Sequence, residues 1–222
     1  MPPVTAARLK NTARMVPSRY PVTGILDAVA SPEDLQFIFE LESWTNDRIS
    51  TELGILHRIP QEEWVVGRPM ASVIMAAFCH PRPQGGRFHS SDRGAWYAGT
   101  DLDTAHAESL HHRTKELAEV GVTETFVQMR LYQADFRAAF HDIRARTPQN
   151  RAYHDPGSYA ASQALARDLL AEGSNGLLYR SVRRPGGECI ACFRPPLVLN
   201  VRASHHYEYR WHGGGKASMR RL

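Results

Sequence analysis

The chain is poor in cysteine, with three among 222 residues. An odd, small number makes no disulfide framework, and reduced thiols fit a cytosolic setting. No apolar run approaches the roughly 18 residues of a membrane-crossing helix. The N-terminal stretch MPPVTAARLKNTARMV lacks the apolar core of a secretory leader, so a cytoplasmic protein is expected. There is no internal repeat and no low-complexity linker, so one domain is the simpler reading. The charge excess is small, +4 at pH 7. It is compatible with an anionic small molecule and too weak to argue for nucleic acid. No recognition-helix or aromatic-platform motif supports direct nucleic-acid binding either. Much of the excess lies at the ends, in Arg8, Lys10, Arg14 and Arg19 and in Lys216, Arg220 and Arg221. Residues 1–13 are expected as a flexible segment, 14–212 as the domain, and 213–222 as a flexible basic tail.

What is present is a mixture of helix and strand signals. Residues 14–20, RMVPSRY, precede Pro21 and read as extended. Ser31-Pro32-Glu33-Asp34 is a helix start, with Leu35, Ile38 and Leu41 on one face and an end near Arg48. A second helix is expected over 71–78, then a loop at Pro81, Pro83, Gly85 and Gly86. Residues 95–98 read as a short strand. Asp101 or Asp103 caps a helix that runs to about Val120 and stops at Gly121. Residues 125–131 alternate as a strand. Asp155-Pro156 opens a helix carrying Tyr159, Leu165, Leu169 and Leu170, closed by Gly173, and a last strand lies near 207–211. Without a regular βαβ rhythm, the fold class is α+β, a single compact domain with a mixed sheet.

The most informative segment is residues 176–195, GLLYRSVRRPGGECIACFRP. It reads as two strands joined by a tight turn at Pro185-Gly186-Gly187. That hairpin carries a hydroxyl (Ser181), a carboxylate (Glu188) and four guanidinium groups (Arg180, Arg183, Arg184, Arg194). So many cations on apolar strands point to a site for an anionic ligand. Gly85-Gly86-Arg87-Phe88 is a glycine pair feeding an arginine, whose planar fork suits phosphate; taken alone it is also an ordinary turn. Arg14 and Arg19, near Tyr20, read alone as surface charges. Glu108 lies among Ala105, Ala107 and Leu110 on a packing helix. It is either solvent-facing or a placed charge. A buried carboxylate costs several kcal/mol unless paired, and nearby arginines are available for pairing.

No metal site is expected. Cys189 and Cys192 form a C-x-x-C on a strand, where period two sends them to opposite faces. His106, His111 and His112 do not make H-E-x-x-H, and adjacent helical histidines diverge by about 100°. Gly213-Gly214-Gly215 has no helix after it and is no P-loop.

Together these pieces resemble the RES domain, the toxin half of bacterial Xre–RES toxin–antitoxin pairs. The resemblance runs from about Arg14 to Tyr209. It rests on R-M-V-P-S-R-Y-P at Arg14, G-G-R-F at Gly85, W-Y-A-G with Tyr97, T-A-H-A-E-S at Thr104, and L-L-Y-R-S-V-R followed by G-G-E-C-I-A-C-F-R-P. It implies a family arginine, glutamate and serine at Arg14, Glu108 and Ser181, and further ligand contacts from Arg87, Tyr97, Arg19 and Tyr20. Two departures stand out. The chain inserts the Ser31 helix and a further segment before the glycine pair, which leaves Arg19 or Arg58 as alternatives to Arg14. His89 also stands where Asn is common in the family.

The resemblance implies a fold similar to ADP-ribosyltransferase toxins, with a split sheet around an NAD cleft. It also implies NAD as substrate, degraded by hydrolysis or phosphorolysis with inorganic phosphate as co-substrate. An Xre-type antitoxin would block the cleft in an oligomeric complex. Two rival readings are a mono-ADP-ribosyltransferase acting on a protein and a non-catalytic module that docks an acidic partner.

Overall fold

The computed structural model describes residues 1–28, 31, 33–34, 56–213 and 217–222. Seven strands form one mixed sheet: β1 (Val4–Pro17), β2 (Trp96–Gly99), β3 (Glu124–Asp142), β4 (Gly176–Arg180), β5 (Glu188–Cys192), β6 (Leu199–His212) and β7 (Ala217–Arg221). Their order is β1-β2-β5-β4-β3-β6-β7, with β1 also paired to β3. The long β3 is where the sheet divides. One part of it pairs antiparallel with β6, while His141 and Asp142 at its end pair parallel with β4. Through β1, β2, β5 and β4 the pairing returns to β3 and closes a circuit.

Helices cover the sheet: α1 (Ile25–Ala28), α2 (Ala71–Cys79), α3 (Leu102–Glu119), α4 (Pro148–Tyr153) and α5 (Ala160–Ala171). Three apolar clusters result. α2 packs Ile74, Met75 and Phe78 with Trp96, Tyr132, Phe136 and Ile190. α5 packs Leu165 and Leu169 with Phe88, Leu177 and Tyr179. α3 sets Ala105 and Leu110 against Met129, Leu131, Tyr207 and Tyr209. Strand alternation places Cys189 in the second cluster and Cys192 in the first, on opposite faces of β5. Burial raises both thiols, Cys192 to about 12.

The α+β reading holds, and several boundaries match their chemical signals. Asp101 caps α3 by accepting from Thr104 N at 2.8 Å, and Gly121 follows the helix at φ +70°. Ser31 Oγ accepts from Asp34 N at 3.1 Å, as a capping hydroxyl should; the rest of that helix, Leu35 to Arg48, lies outside the described residues.

Both chain ends differ from expectation. Residues 4–13 belong to β1, which pairs with β3 along almost its whole length. The pairing shifts between Leu9 and Thr12, where Asn11 has φ +56° and its N–H donates to Asp135 Oδ1 at 2.8 Å. This bulge breaks period two, which is why no alternating pattern marks the strand. Residues 217–221 are β7, paired antiparallel with β6, and Arg220 Nε reaches Glu208 at 3.1 Å. The small helix α4 gave no periodic signal because it is little more than one turn. β3 extends far beyond the expected 125–131.

Candidate active site

The site is built where the β4–β5 loop lies on the first turns of α3. Residues 181–187 join the two strands, and the tight part is Arg184-Pro185-Gly186-Gly187. Gly187 N donates to Arg184 O at 3.1 Å, and Gly186 takes φ +77°. Proline followed by a left-handed glycine is the signature of a type II turn. A Cβ on Gly187 would lie 2.6 Å from Thr104 Oγ1, so only glycine lets the loop approach α3 this closely.

That approach brings Ser181 onto Glu108. Ser181 Oγ–H donates to Glu108 Oε1 at 2.6 Å, across 73 residues of sequence. The same oxygen accepts from Arg183 N at 3.1 Å and Arg184 N at 2.9 Å. Both lone pairs of Ser181 are therefore occupied and its one proton is committed to Glu108. Such a hydroxyl orients a carboxylate and is poorly placed as a nucleophile. Glu108 is half-buried and, among the described residues, has no cation within 4.0 Å. The expected arginine pairing is not formed; the serine takes its place.

Arg14 comes to the same neighbourhood from β1. Its guanidinium lies 4.9 Å from the Trp96 ring centroid and donates to Tyr97 O at 3.1 Å. Tyr97 and Tyr179 lie within electrostatic reach of it, and Tyr179 within reach of Glu108. Loss of water lowers the Arg14 pKa to about 10, which still leaves it charged at neutral pH. No carboxylate pairs with it among the described residues. Of the two alternatives, Arg58 is exposed and contacts Ser91 O at 3.5 Å. Arg19 stacks on Tyr20 at 5.0 Å and donates to its hydroxyl at 3.1 Å, within reach of Glu116. Glu116 is roughly two helical turns, about 12 Å, beyond Glu108. The Arg19–Tyr20 pair therefore lies along the helix from the Glu108–Ser181 contact, outside it.

The residues 85–89 loop forms another wall. Tyr97 Oη accepts from Phe88 N at 2.9 Å and lies 2.9 Å from His89 Nδ1. Burial, with Arg14 and Arg82 adding repulsion, lowers the His89 pKa to about 4. A neutral His89 can accept the Tyr97 proton. The tyrosine hydroxyl is thus locked into the loop, and burial raises its pKa. Gly86 leaves room for the His89 ring, which a side chain would strike. The glycine pair serves the loop's own packing. Arg87 is buried beneath Tyr159, 4.7 Å from its ring centroid. Its Nη1 donates to Tyr153 O at 3.2 Å and Asp155 O at 2.7 Å, so much of its donor capacity ties down the end of α4.

The four hairpin arginines do not form one anion site. Arg184 pairs with Asp101 and Asp103, and Arg194 with Glu63. Arg183 donates to Pro156 O at 3.1 Å. Arg180 leaves for a cavity beside α4. The hairpin carboxylate Glu188 is taken by Arg144 at 2.6 Å. Sequence reasoning missed Arg82 and Arg113, which add positive charge along α3. Burial, with repulsion from Arg82, His111, Arg183 and Arg113, lowers the His112 pKa to about 3. Among the described residues no three His, Cys, Asp or Glu side chains gather as a metal site, and no helix is long and apolar enough to cross a membrane.

Fold and site define an α+β domain with a serine-oriented carboxylate on α3 and, on β1, a buried arginine that has no carboxylate partner among the described residues. The RES domain family model matches residues 55–212. The chain belongs to the RES domain family. The match begins after Arg14, Arg19 and Tyr20. A Sinorhizobium fredii relative, the uncharacterized protein y4oC, is 26% identical over 202 residues, covering 90% of this chain and 82% of the relative. A chain of the M. tuberculosis MbcT-MbcA toxin-antitoxin complex is similar with a TM-score of 0.46 at 12% identity, covering 90% of this chain and 85% of the other.

Proposed function

We propose that this chain is the toxin of a toxin–antitoxin pair and that it cleaves the nicotinamide–ribose bond of NAD. The observation that carries the reading is the 2.6 Å Ser181–Glu108 hydrogen bond, with Glu108 and the uncompensated guanidinium of Arg14 both within electrostatic reach of Tyr179. Bond cleavage develops positive charge on the sugar, as in glycoside cleavage. Nicotinamide leaves as a neutral molecule, so no general acid is needed. A carboxylate near the sugar stabilises charge that exists mainly in the transition state. Glu108 takes that role. Ser181 holds Oε1, which leaves Oε2 to face the ribose.

Arg14 binds the pyrophosphate through charge-assisted hydrogen bonds. Arg87 contributes through the donors its backbone anchors leave free. The half-buried face of Tyr97 offers packing for the nicotinamide ring, and Arg19 with Tyr20 would meet the distal part of an extended dinucleotide. Water as acceptor gives nicotinamide and ADP-ribose. Inorganic phosphate as acceptor gives nicotinamide and ADP-ribose 1″-phosphate. An Xre-type antitoxin is the expected partner, closing the cleft in an oligomeric complex.

The test is incubation of the purified chain with NAD, with and without phosphate, and identification of products by mass. Release of nicotinamide in step with NAD loss is expected. Appearance of the 1″-phosphate only with phosphate present identifies phosphorolysis, and loss without phosphate identifies hydrolysis. Label transferred to protein instead identifies an ADP-ribosyltransferase. No NAD consumption under any condition rejects the reading.

A further inference from the structure

A cavity of about 240 Å³ opens beside α4, lined by Arg146, Thr147, Arg151 and Arg180. It lies below the roughly 300 Å³ at which pockets begin to hold drug-sized ligands. Its occupant is therefore a small ion or one group of a larger molecule. Three of its four lining residues are arginines. Among the described residues none of the three has a carboxylate within 4.0 Å, whereas Arg93, Arg144, Arg184 and Arg194 all do. The nearest candidate by register is Glu188, directly across from Arg180, and Arg144 has already engaged it. Asp142 is also held by Arg144.

Arg180 Nε is buried without a hydrogen-bond partner. A buried donor left unmade costs about 1–3 kcal/mol, more when charged, and such groups are rare in folded proteins. Thr147 adds a hydroxyl. Its Oγ1 accepts from Asn150 N at 3.1 Å, so its proton is available to a ligand. The backbone beneath is fixed, because His154 Nε2 accepts from Arg180 N at 3.1 Å while Nδ1 contacts Asn150 O at 2.6 Å.

We propose that this cavity is a phosphate-binding site, separate from the Glu108–Ser181 pair. Three arginines with planar donor forks and a hydroxyl match a tetrahedral dianion better than a carboxylate, which would leave donors unmet. The ligand is inorganic phosphate or the phosphate of a phosphorylated small molecule. Because Ser181 follows Arg180 in the chain, the bound anion sits beside the residue that orients Glu108. The proposal does not depend on NAD turnover.

Calorimetric titration of the full chain at low ionic strength tests it, with inorganic phosphate and with 5′-AMP as separate probes. Saturable binding of phosphate at one site per chain is expected. Arg146→Gln/Arg151→Gln, which replaces two exposed side chains and leaves the core intact, weakens it at least tenfold, as does Arg180→Gln. Arg14→Gln leaves it unchanged, which separates this site from the proposed cleft. Comparable affinity for the two probes assigns free phosphate as the ligand; markedly tighter AMP assigns a phosphorylated small molecule. No saturable binding of either probe up to about 10 mM, weaker than the millimolar range that about −4 kcal/mol supplies, overturns the proposal. So does unchanged binding in the double variant, or loss in Arg14→Gln alone.

Discussion

Glu63 and Glu108 are two carboxylates withdrawn from bulk water, and the protein treats them in opposite ways. Glu63 is buried at 8% exposure and gripped from two sides by Arg93 and Arg194. Arg93 also donates to Phe193 O at 2.6 Å and Arg194 Nε to Ser174 O at 3.1 Å. That cluster ties the residues before α2 to the end of β5, and both oxygens of its carboxylate are met by guanidinium groups. Glu108 is half-buried and receives one serine hydroxyl. A neutralised carboxylate has no field left to offer a ligand, whereas one oriented by a neutral donor keeps its full charge. The contrast separates a glutamate that holds the fold from one suited to chemistry.

The largest effect expected from breaking the contrast is on the structural side. Glu63→Ala strands two part-buried guanidinium groups, and removing one partner of a buried ion pair costs up to about 3–5 kcal/mol. Denaturant unfolding should show that loss, while NAD turnover per folded molecule stays close to wild type. An unfolding midpoint equal to wild type would mean that the cluster holds nothing together.

Glu108 should behave in the reverse manner. Glu108→Gln keeps the shape and the bond from Ser181 but removes the charge. Turnover should fall by about 10²–10³, the scale of one lost electrostatic contact to a developing charge, with stability changed by less than about 1 kcal/mol. Full activity in this variant would remove Glu108 from the mechanism. Ser181→Ala sharpens the same point. It should slow turnover about tenfold to a hundredfold, since hydrogen bonds to charged groups are worth about 1.5–3 kcal/mol. It should also loosen the loop whose amides it accepts from, which hydrogen exchange at Arg183 and Arg184 would report. A loss as large as that of Glu108→Gln would point to a direct role for the hydroxyl.

The two glutamates also differ in how far the sequence discloses them. α3 is legible from end to end, because Asp101 and Gly121 are local signals for local structure. The meeting of Glu108 with Ser181 is not, since 73 residues separate them and no spacing rule spans a sheet. Only the family motifs joined them in advance. The Glu63 cluster stayed hidden for the same reason: its arginines lie 30 and 131 residues away. The hairpin arginines misled because identity and proximity in sequence do not fix direction. β4 ends at Arg180 and the loop begins at Ser181, so neighbouring side chains leave on different courses. β1 was read too short because its bulge at Asn11 puts the two halves of its apolar pattern out of phase.

A last, smaller effect uses protons to separate the two regions. The Glu108 side carries histidines whose burial and cationic neighbours lower their pKa values, His89 to about 4 and His112 to about 3. A depressed histidine is neutral when folded. Above its ordinary value near 6.5 it is neutral in both states and pH has no leverage. As pH falls below 6.5 the unfolded chain takes up the proton and the folded chain does not, so stability declines until the folded value is reached. From pH 7 to pH 5.5 each such histidine costs about 1 kcal/mol. His89→Asn removes the titrating ring and keeps an acceptor for the Tyr97 hydroxyl. Its unfolding free energy should therefore fall by about 1 kcal/mol less than wild type over that interval. Glu63→Gln, which removes no histidine, should leave the slope as it was. An identical slope in wild type and His89→Asn would show that His89 takes up its proton in the folded protein as readily as in the unfolded chain, and that burial does not hold it neutral.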